Sequence, residues 1–217
     1  MARMHRYLIM VAGGRGLRMG ADIPKQFLLL DDKPIIFHSL EKFTSYDPTI
    51  ELILVLPEDN IDYWNELCVK YNFNTEHNIV KGGPERFNSV QNGLSLVRQR
   101  STVAIHDAVR PYVSIETIDR CFSVAEKRGN AVPYIKPTES VREINGKNSS
   151  RVINRDNIAL IQTPQVFRSD ILLSAYAAVY QPSFTDDASV VEAAGHSINL
   201  VQGNRENIKI TTAEDLQ

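Results

Sequence analysis

The chain has 217 residues, 43% of them hydrophobic and 23% charged, with a formal net charge of −2. That balance excludes a disordered chain and suits one globular domain with a sizeable core, and the slight acidity excludes a global positive field for holding a nucleic acid duplex. Its two cysteines, Cys68 and Cys121, lie far apart with no metal-ligand spacing, so neither a disulfide framework nor a Cys-rich zinc site is expected and a reducing cytoplasm is the default.

Residues 7–12 form a continuous apolar run that stops at Gly13-Gly14. The run is too short for a signal peptide core, and no apolar run in the chain reaches the roughly 18 residues of a membrane span. Glu51–Leu56 is a second such run, ended by Pro57, and residues 102–106 are a third. Continuous rather than alternating apolar runs predict strands buried on both faces. Between them, residues 58–71, 85–99 and 115–128 carry apolar side chains at helical spacing, the first after the acidic Glu58-Asp59 and the last before Gly129. Acid in a first turn and Gly after a last turn suit helix ends. The alternation predicts an open α/β sheet. Residues 138–156 break it: they read as two short strands around Asn145-Gly146, a strong hairpin signal, with no helix to cover them. We read this stretch as a β-arm inserted in a single domain spanning 1–217, either projecting onto a second subunit or lying as a solvated surface hairpin. Residues 169–181 and 186–195 return to helical spacing, and residues 198–201 and 208–211 resemble final strands.

Three constellations stand out, the first two where strands end. The stretch Ala12-Gly13-Gly14-Arg15-Gly16-Leu17-Arg18-Met19-Gly20 follows the first strand, and with Lys25 it sets three cations against the single acid Asp22. Small residues let backbone N–H groups approach phosphate oxygens, and ligands of open α/β sheets bind at carboxyl ends of strands. The Walker spacing is absent, and the dinucleotide fingerprint fails at its third glycine position. In His106-Asp107-Ala108-Val109-Arg110-Pro111, Asp107 is placed either to hold Mg²⁺ shared with substrate phosphates or to cap a turn. Arg110 is a phosphate ligand or a partner of Asp107, and His106, with no companion at ligand spacing, reads as structural. Gly82-Gly83-Pro84-Glu85-Arg86-Phe87-Asn88-Ser89 is a glycine turn opening a helix. Locally, Thr185-Asp186 reads as a helix start and Lys209 as a charge alternating out of a strand.

Together with Pro24-Lys25-Gln26-Phe27, Arg155, Gln162-Thr163-Pro164-Gln165, Thr185-Asp186-Asp187-Ala188-Ser189 and Asn207-Ile208-Lys209-Ile210-Thr211, these pieces resemble the 2-C-methyl-D-erythritol 4-phosphate cytidylyltransferase family, in the family order and over nearly the whole chain. The resemblance implies a Rossmann-like, mostly parallel sheet flanked by helices, of the nucleotide-diphospho-sugar transferase type, with a homodimerising arm. It implies a cytoplasmic enzyme that transfers a cytidylyl group from CTP to the sugar phosphate and needs Mg²⁺, with no nucleic acid or membrane partner. By position, Arg18 and Lys25 would stabilise the transition state and Asp107 would bind the metal. Arg155, Lys209, Thr185 and Ser140, the last standing for the usual Thr, would position the second substrate. Ala12, Gly13, Gly14, Gly83, Ser89 and Ala108 would line the nucleotide pocket. Val11 replaces a common Ala, Pro84 replaces a frequent Asp, and the family usually continues past the position of Gln217 in a C-terminal helix. Three other readings remain: a cytidylyltransferase for another polyol phosphate such as ribitol 5-phosphate, a silent nucleotide-binding module, and an NAD-dependent oxidoreductase, the last disfavoured by the glycine spacing.

Overall fold

The computed structural model describes residues 4–13, 23–147 and 149–216. Its centre is a mixed, mostly parallel sheet. Strand β1 (His5–Val11) is followed by a two-stranded ribbon, β2 (Leu29–Leu30) and β3 (Lys33–Pro34), which leads into helix α1 (Ile35–Tyr46). Next come β4 (Glu51–Leu56), α2 (Ile61–Lys70), β5 (Asn78–Lys81), α3 (Arg86–Leu94), β6 (Ser101–Asp107), α4 (Ile115–Arg128) and β7 (Asn130–Ile135). The chain then forms the hairpin β8 (Val141–Ile144) and β9 (Ser150–Ile153) before β10 (Leu160–Ile161) and β11 (Gln165–Arg168). Helices α5 (Ser169–Ala175) and α6 (Asp187–Ala193) and strand β12 (Leu200–Gln202) complete it. The sheet runs β10-β7-β11-β6-β1-β4-β5, with β12 on β7. Pairings among β6, β1, β4 and β5 are parallel, while β11 runs antiparallel to both β6 and β7.

The unbroken apolar runs have a direct structural cause. Leu8 and Met10 of β1 and Leu52, Leu54 and Leu56 of β4 face one layer, where they pack on Phe37, Leu40 and Phe43 of α1, Trp64 of α2 and Phe122 of α4. The intervening Tyr7, Ile9, Ile53 and Val55 face the other layer, against Val90 and Leu94 of α3, Leu172 of α5 and Val191 of α6. With both faces covered, neither residue parity can be polar. Helix α3 comes close to the sheet at Gly93, where a Cβ would meet Ile9 Cγ2 at 3.0 Å and Val55 Cγ2 at 3.2 Å. Helix α4 has complete ends: the Ser114 hydroxyl accepts the Thr117 N–H, and Gly129 (φ 98°) closes it with its N–H on the Ala125 carbonyl.

Several expectations are corrected. The helix expected over 85–99 ends at Leu94, because residues 95–97 tighten into turns whose N–H groups reach back three residues. The helix expected over 169–181 stops at Ala175, and the one expected over 186–195 spans Asp187–Ala193. Residues 208–211 are not a strand: Ile210 N–H gives one bond to the Val109 carbonyl at 2.9 Å, and the segment is held by side chains instead of a ladder. The hairpin forms where Asn145-Gly146 puts it, with Gly146 at φ 100° and register Val141↔Ile153 to Ile144↔Ser150. It is a separate two-stranded sheet. No helix among the described residues is long and apolar enough to cross a membrane.

Candidate active site

The carboxyl ends of β1 and β6 lie side by side, since Val11 pairs with Asp107 and the Ala108 N–H bonds the Val11 carbonyl at 3.1 Å. The chain leaving β1 is pinned twice: Ala12 N–H donates to the Val55 carbonyl at 3.0 Å, and the buried Gln26 donates Nε2–H to the Ala12 carbonyl at 2.7 Å. On the other flank, the Gly83 N–H donates to Ser89 Oγ at 3.0 Å. Gly83 has no room for a side chain, since a Cβ would lie 2.3 Å from Asn88 Cβ and 3.0 Å from its carbonyl carbon. Tight backbone turns on both flanks thus leave a cavity of about 230 Å³ between them. Ala12, Gly13, Gly83, Ser89 and Ala108 line its uncharged wall, and Lys25, Glu85, Arg86, Asp107 and Lys209 supply its charges.

Asp107 is the electrostatic centre. Its Oδ2 lies 3.0 Å from Lys209 Nζ and 3.3 Å from Arg110 Nε, and its Oδ1 lies 3.7 Å from Arg86 Nε. Burial works against its ionisation, but the surrounding Arg86, Lys209 and Arg110 outweigh it and hold the carboxyl well below the usual carboxylate range. Arg110, for which sequence left two roles open, pairs with Asp107 and donates Nη1–H to the Asn207 carbonyl at 2.8 Å. Lys209, expected as an outward charge on a strand, turns inward to the cavity. His106 is fully buried; burial pushes its imidazole down to about 4, so it is neutral at pH 7.

Three cations around the Asp107 carboxylate suit a polyanion better than a hydride donor or a nucleic acid groove. Among the described residues, no group of three or more His, Cys, Asp or Glu is gathered as a metal cage.

Lys25, Asp107, Lys209, Ala12, Gly13, Gly83, Ser89 and Ala108, widely spaced in sequence, line this one cavity. Gly14 and Arg18, with Arg15 and Gly16, lie outside the described residues. Ser140, Arg155 and Thr185 are exposed and do not line it. Arg155 follows the arm and donates Nη1–H to the Thr138 carbonyl at 2.6 Å, tying together the two ends of the hairpin. Thr185 precedes Asp186, whose carboxylate accepts the Ser189 N–H in a capping box, so the expected helix start is present. Sequence reasoning missed Arg86 as a charge of the cavity and Gln26 and Asn207 as buried braces. Their partners are 14 to 101 positions away, at ranges where spacing carries no signal.

A sequence model of the 2-C-methyl-D-erythritol 4-phosphate cytidylyltransferases matches residues 7–217. Proteins of that name from Bacteroides thetaiotaomicron and Porphyromonas gingivalis are each 48% identical to this chain; the matches cover 99% of this chain in both cases and 97% and 96% of those proteins. Among solved structures, the cytidylyltransferase of Francisella tularensis aligns with a TM-score of 0.80 at 32% identity, covering 98% of this chain and 96% of that one. The 4-diphosphocytidyl-2C-methyl-D-erythritol synthase of Anaerococcus prevotii aligns with a TM-score of 0.82 at 27% identity, covering 98% and 95%. With near full-length matches at close to half identity and the expected pocket residues around one cavity, the chain belongs to the 2-C-methyl-D-erythritol 4-phosphate cytidylyltransferase family.

Proposed function

We propose that the chain transfers the cytidylyl group of CTP to 2-C-methyl-D-erythritol 4-phosphate, giving 4-diphosphocytidyl-2-C-methyl-D-erythritol and pyrophosphate in the non-mevalonate isoprenoid pathway. The observation that carries this reading is the cation-lined cavity at the joined ends of β1 and β6, in a chain of this family. The attacking group is a phosphate monoester oxygen, largely ionised at neutral pH because its second pKa lies near ~6. No general base is needed, and the difficulty is to bring two anions together and stabilise the added charge.

The residues divide that work. Ala12, Gly13, Gly83, Ser89 and Ala108 form the nucleotide wall, and Gly14 is assigned to nucleotide binding by its place in the family motif. Lys25 and Arg18 stabilise charge on the α-phosphate and the leaving pyrophosphate. Lys209 holds the phosphate of the acceptor. The ionised Asp107 fits a Mg²⁺ shared with substrate phosphates, since hard cations take oxygen ligands and one carboxylate suffices when phosphates supply the rest. When bound, the metal neutralises phosphate charge at the reacting centre. Asp107 would hold such a metal, and Lys209, 3.0 Å from the Asp107 carboxylate, would hold the acceptor phosphate beside it.

Arg155, Ser140 and Thr185 lie outside the cavity lining of their own chain. For Arg155 and Ser140, both next to the hairpin strands, the reading therefore includes a homodimer in which the arm of one protomer serves its partner's site. Exposed Ile144 and Val152 on the arm support that role, and the free thiols Cys68 and Cys121 suit a reducing cytoplasm.

The test is pyrophosphate release with CTP and Mg²⁺, supplying methylerythritol phosphate and ribitol 5-phosphate in parallel. Release with the former alone is expected. Release with ribitol phosphate keeps the chemistry and overturns the substrate, and silence with both overturns the reaction in favour of a nucleotide-binding module.

A further inference from the structure

The buried carboxylate of Asp187 has no part in the scheme above, yet it is tied to the cavity. It does not cap α6: Asp186 does that, taking the Ser189 N–H at 2.9 Å and Gln165 Nε2–H at 2.8 Å. Asp187, fully buried, accepts Arg86 Nη1–H at 2.8 Å on Oδ1 and Arg86 Nη2–H at 2.6 Å on Oδ2. The Tyr176 hydroxyl donates to Oδ1 at 2.6 Å. The Tyr176 ring stacks on Phe87, beside Arg86 in α3, with centroids 4.8 Å apart and planes at 16°. A carboxylate without water is costly unless fully paired. Here its pairing holds one guanidinium and is itself braced by a phenol that cannot swing away.

The consequence lies at the far end of Arg86. With both Nη groups engaged, the side chain shows Asp107 its Nε, 3.7 Å from Oδ1. That separation is too long for a hydrogen bond and short enough for a strong charge interaction. A guanidinium not held this way grips a carboxylate or a phosphate bidentately through its fork. Arg86 lines the cavity, so both targets are within its surroundings.

We propose that Asp187 is a positioning residue of the site: by holding both Nη groups of Arg86, with Tyr176 bracing it, it keeps the guanidinium fork off Asp107 and off the substrate phosphates, so that Arg86 acts on them by charge alone. The inference rests on the cytidylyl-transfer reading of the cavity. Its function is to leave Asp107 available to a metal-bound nucleotide. Breaking a buried ion pair by removing one partner is generally more harmful than removing both, which the double variant below exploits.

The experiment measures CTP binding by calorimetry with and without Mg²⁺, alongside turnover. In Asp187→Asn the released fork binds triphosphate directly. CTP then binds without metal as tightly as in the parent or more tightly, the enhancement by Mg²⁺ falls about tenfold, and kcat falls by a similar factor. A purely structural loss would weaken binding under both conditions. The double variant Arg86→Gln/Asp187→Asn removes the fork as well, and it recovers much of the Mg²⁺ enhancement. An unchanged enhancement in Asp187→Asn, or a double variant no better than the single, overturns the proposal. Should Asp187→Asn not fold, Tyr176→Phe keeps the ion pair and loosens it. It loses about two- to threefold of the enhancement if the proposal holds and none if it does not. A parent protein that binds CTP with Mg²⁺ but does not turn over methylerythritol phosphate refutes the substrate reading, while the binding ratios still test the clamp.

Discussion

The Thr163 hydroxyl stands between two neighbours on β6. It accepts the Asp107 N–H at 3.1 Å and lies 2.9 Å from His106 Nδ1, to which it donates in the neutral ring whose Nε2–H goes to the Arg110 carbonyl at 3.1 Å. These partners suit the neutral Nε2–H tautomer. Burial likewise drives the imidazole down to about 4, so the folded state binds fewer protons than the unfolded chain between that value and the ordinary ~6.5. Stability therefore rises with pH across this window and is lost as pH falls through it. The loss is about 2 kcal/mol between pH 7 and pH 5, from a shift of this size. Urea unfolding of His106→Gln at the two pH values should show a smaller loss than the parent; equal losses would assign the acid limb to other groups. Lys25 allows a sharper residue-level test. In Lys25→Ala, kcat should fall about 100-fold or more, while CTP affinity changes less than tenfold, because a group aimed at developing charge acts mainly in the transition state. Equal losses would make Lys25 a ground-state binder.

Among the elements, the hairpin has the least support from its own chain. An isolated two-stranded hairpin is marginal in water. Ile144 and Val152, on one face by the register Arg142↔Val152 and Ile144↔Ser150, are 81% and 71% exposed, while Arg151 and Glu143 pair on the other face. The homodimer reading gives this face a partner. Ile144→Asp/Val152→Asp should convert a dimer to a monomer by light scattering and raise KM for methylerythritol phosphate several-fold. A parent that is already monomeric at micromolar concentration would remove the dimer from the scheme. The arm also marks what the sequence makes legible. Asn145-Gly146 writes a local turn, and β4 and α4 are bounded by Pro57 and Gly129, so all three emerge close to their observed limits. Strand β7 is hidden by Pro133 within it, α1 begins with the strand-like run Ile35-Ile36-Phe37, and β11 is a four-residue antiparallel insertion whose pairing with β6 is non-local. Gly13 and Asp107 are legible because they follow apolar runs, and Gly83 because it sits in a glycine turn opening a helix. The Arg86–Asp187 pair spans 101 positions, and nothing local announces it.

Across the whole molecule, the cavity is closed by a segment that belongs to no sheet. After β12 the chain returns over the end of β6, and residues 207–210 carry Lys209 to Asp107. This strap is anchored at both ends. The fully buried Asn207 donates Nδ2–H to the Thr163 carbonyl at 2.8 Å, and its own carbonyl accepts from Arg110 Nη1 at 2.8 Å and Gln162 Nε2 at 3.2 Å. Two residues beyond the anchor-borne lysine's neighbour Ile208, Ile210 is buried with Leu30, Ile35 and Val109. Lys209 is thus suspended between a polar anchor and an apolar one, and its reach depends on both. Asn207→Ala leaves the Thr163 carbonyl without its donor, which costs about 1–3 kcal/mol. It also lets the strap shift. Because most of the nucleotide wall is built from the end of β1 and from α3, and the strap touches it only beside Ala108, through the Ile210 N–H on the Val109 carbonyl, KM for methylerythritol phosphate should rise several-fold while KM for CTP stays within about twofold. Steady-state kinetics with each substrate varied in turn would show this split; a parallel rise in both constants would mean that the strap braces the floor under the nucleotide as well as the lysine above it.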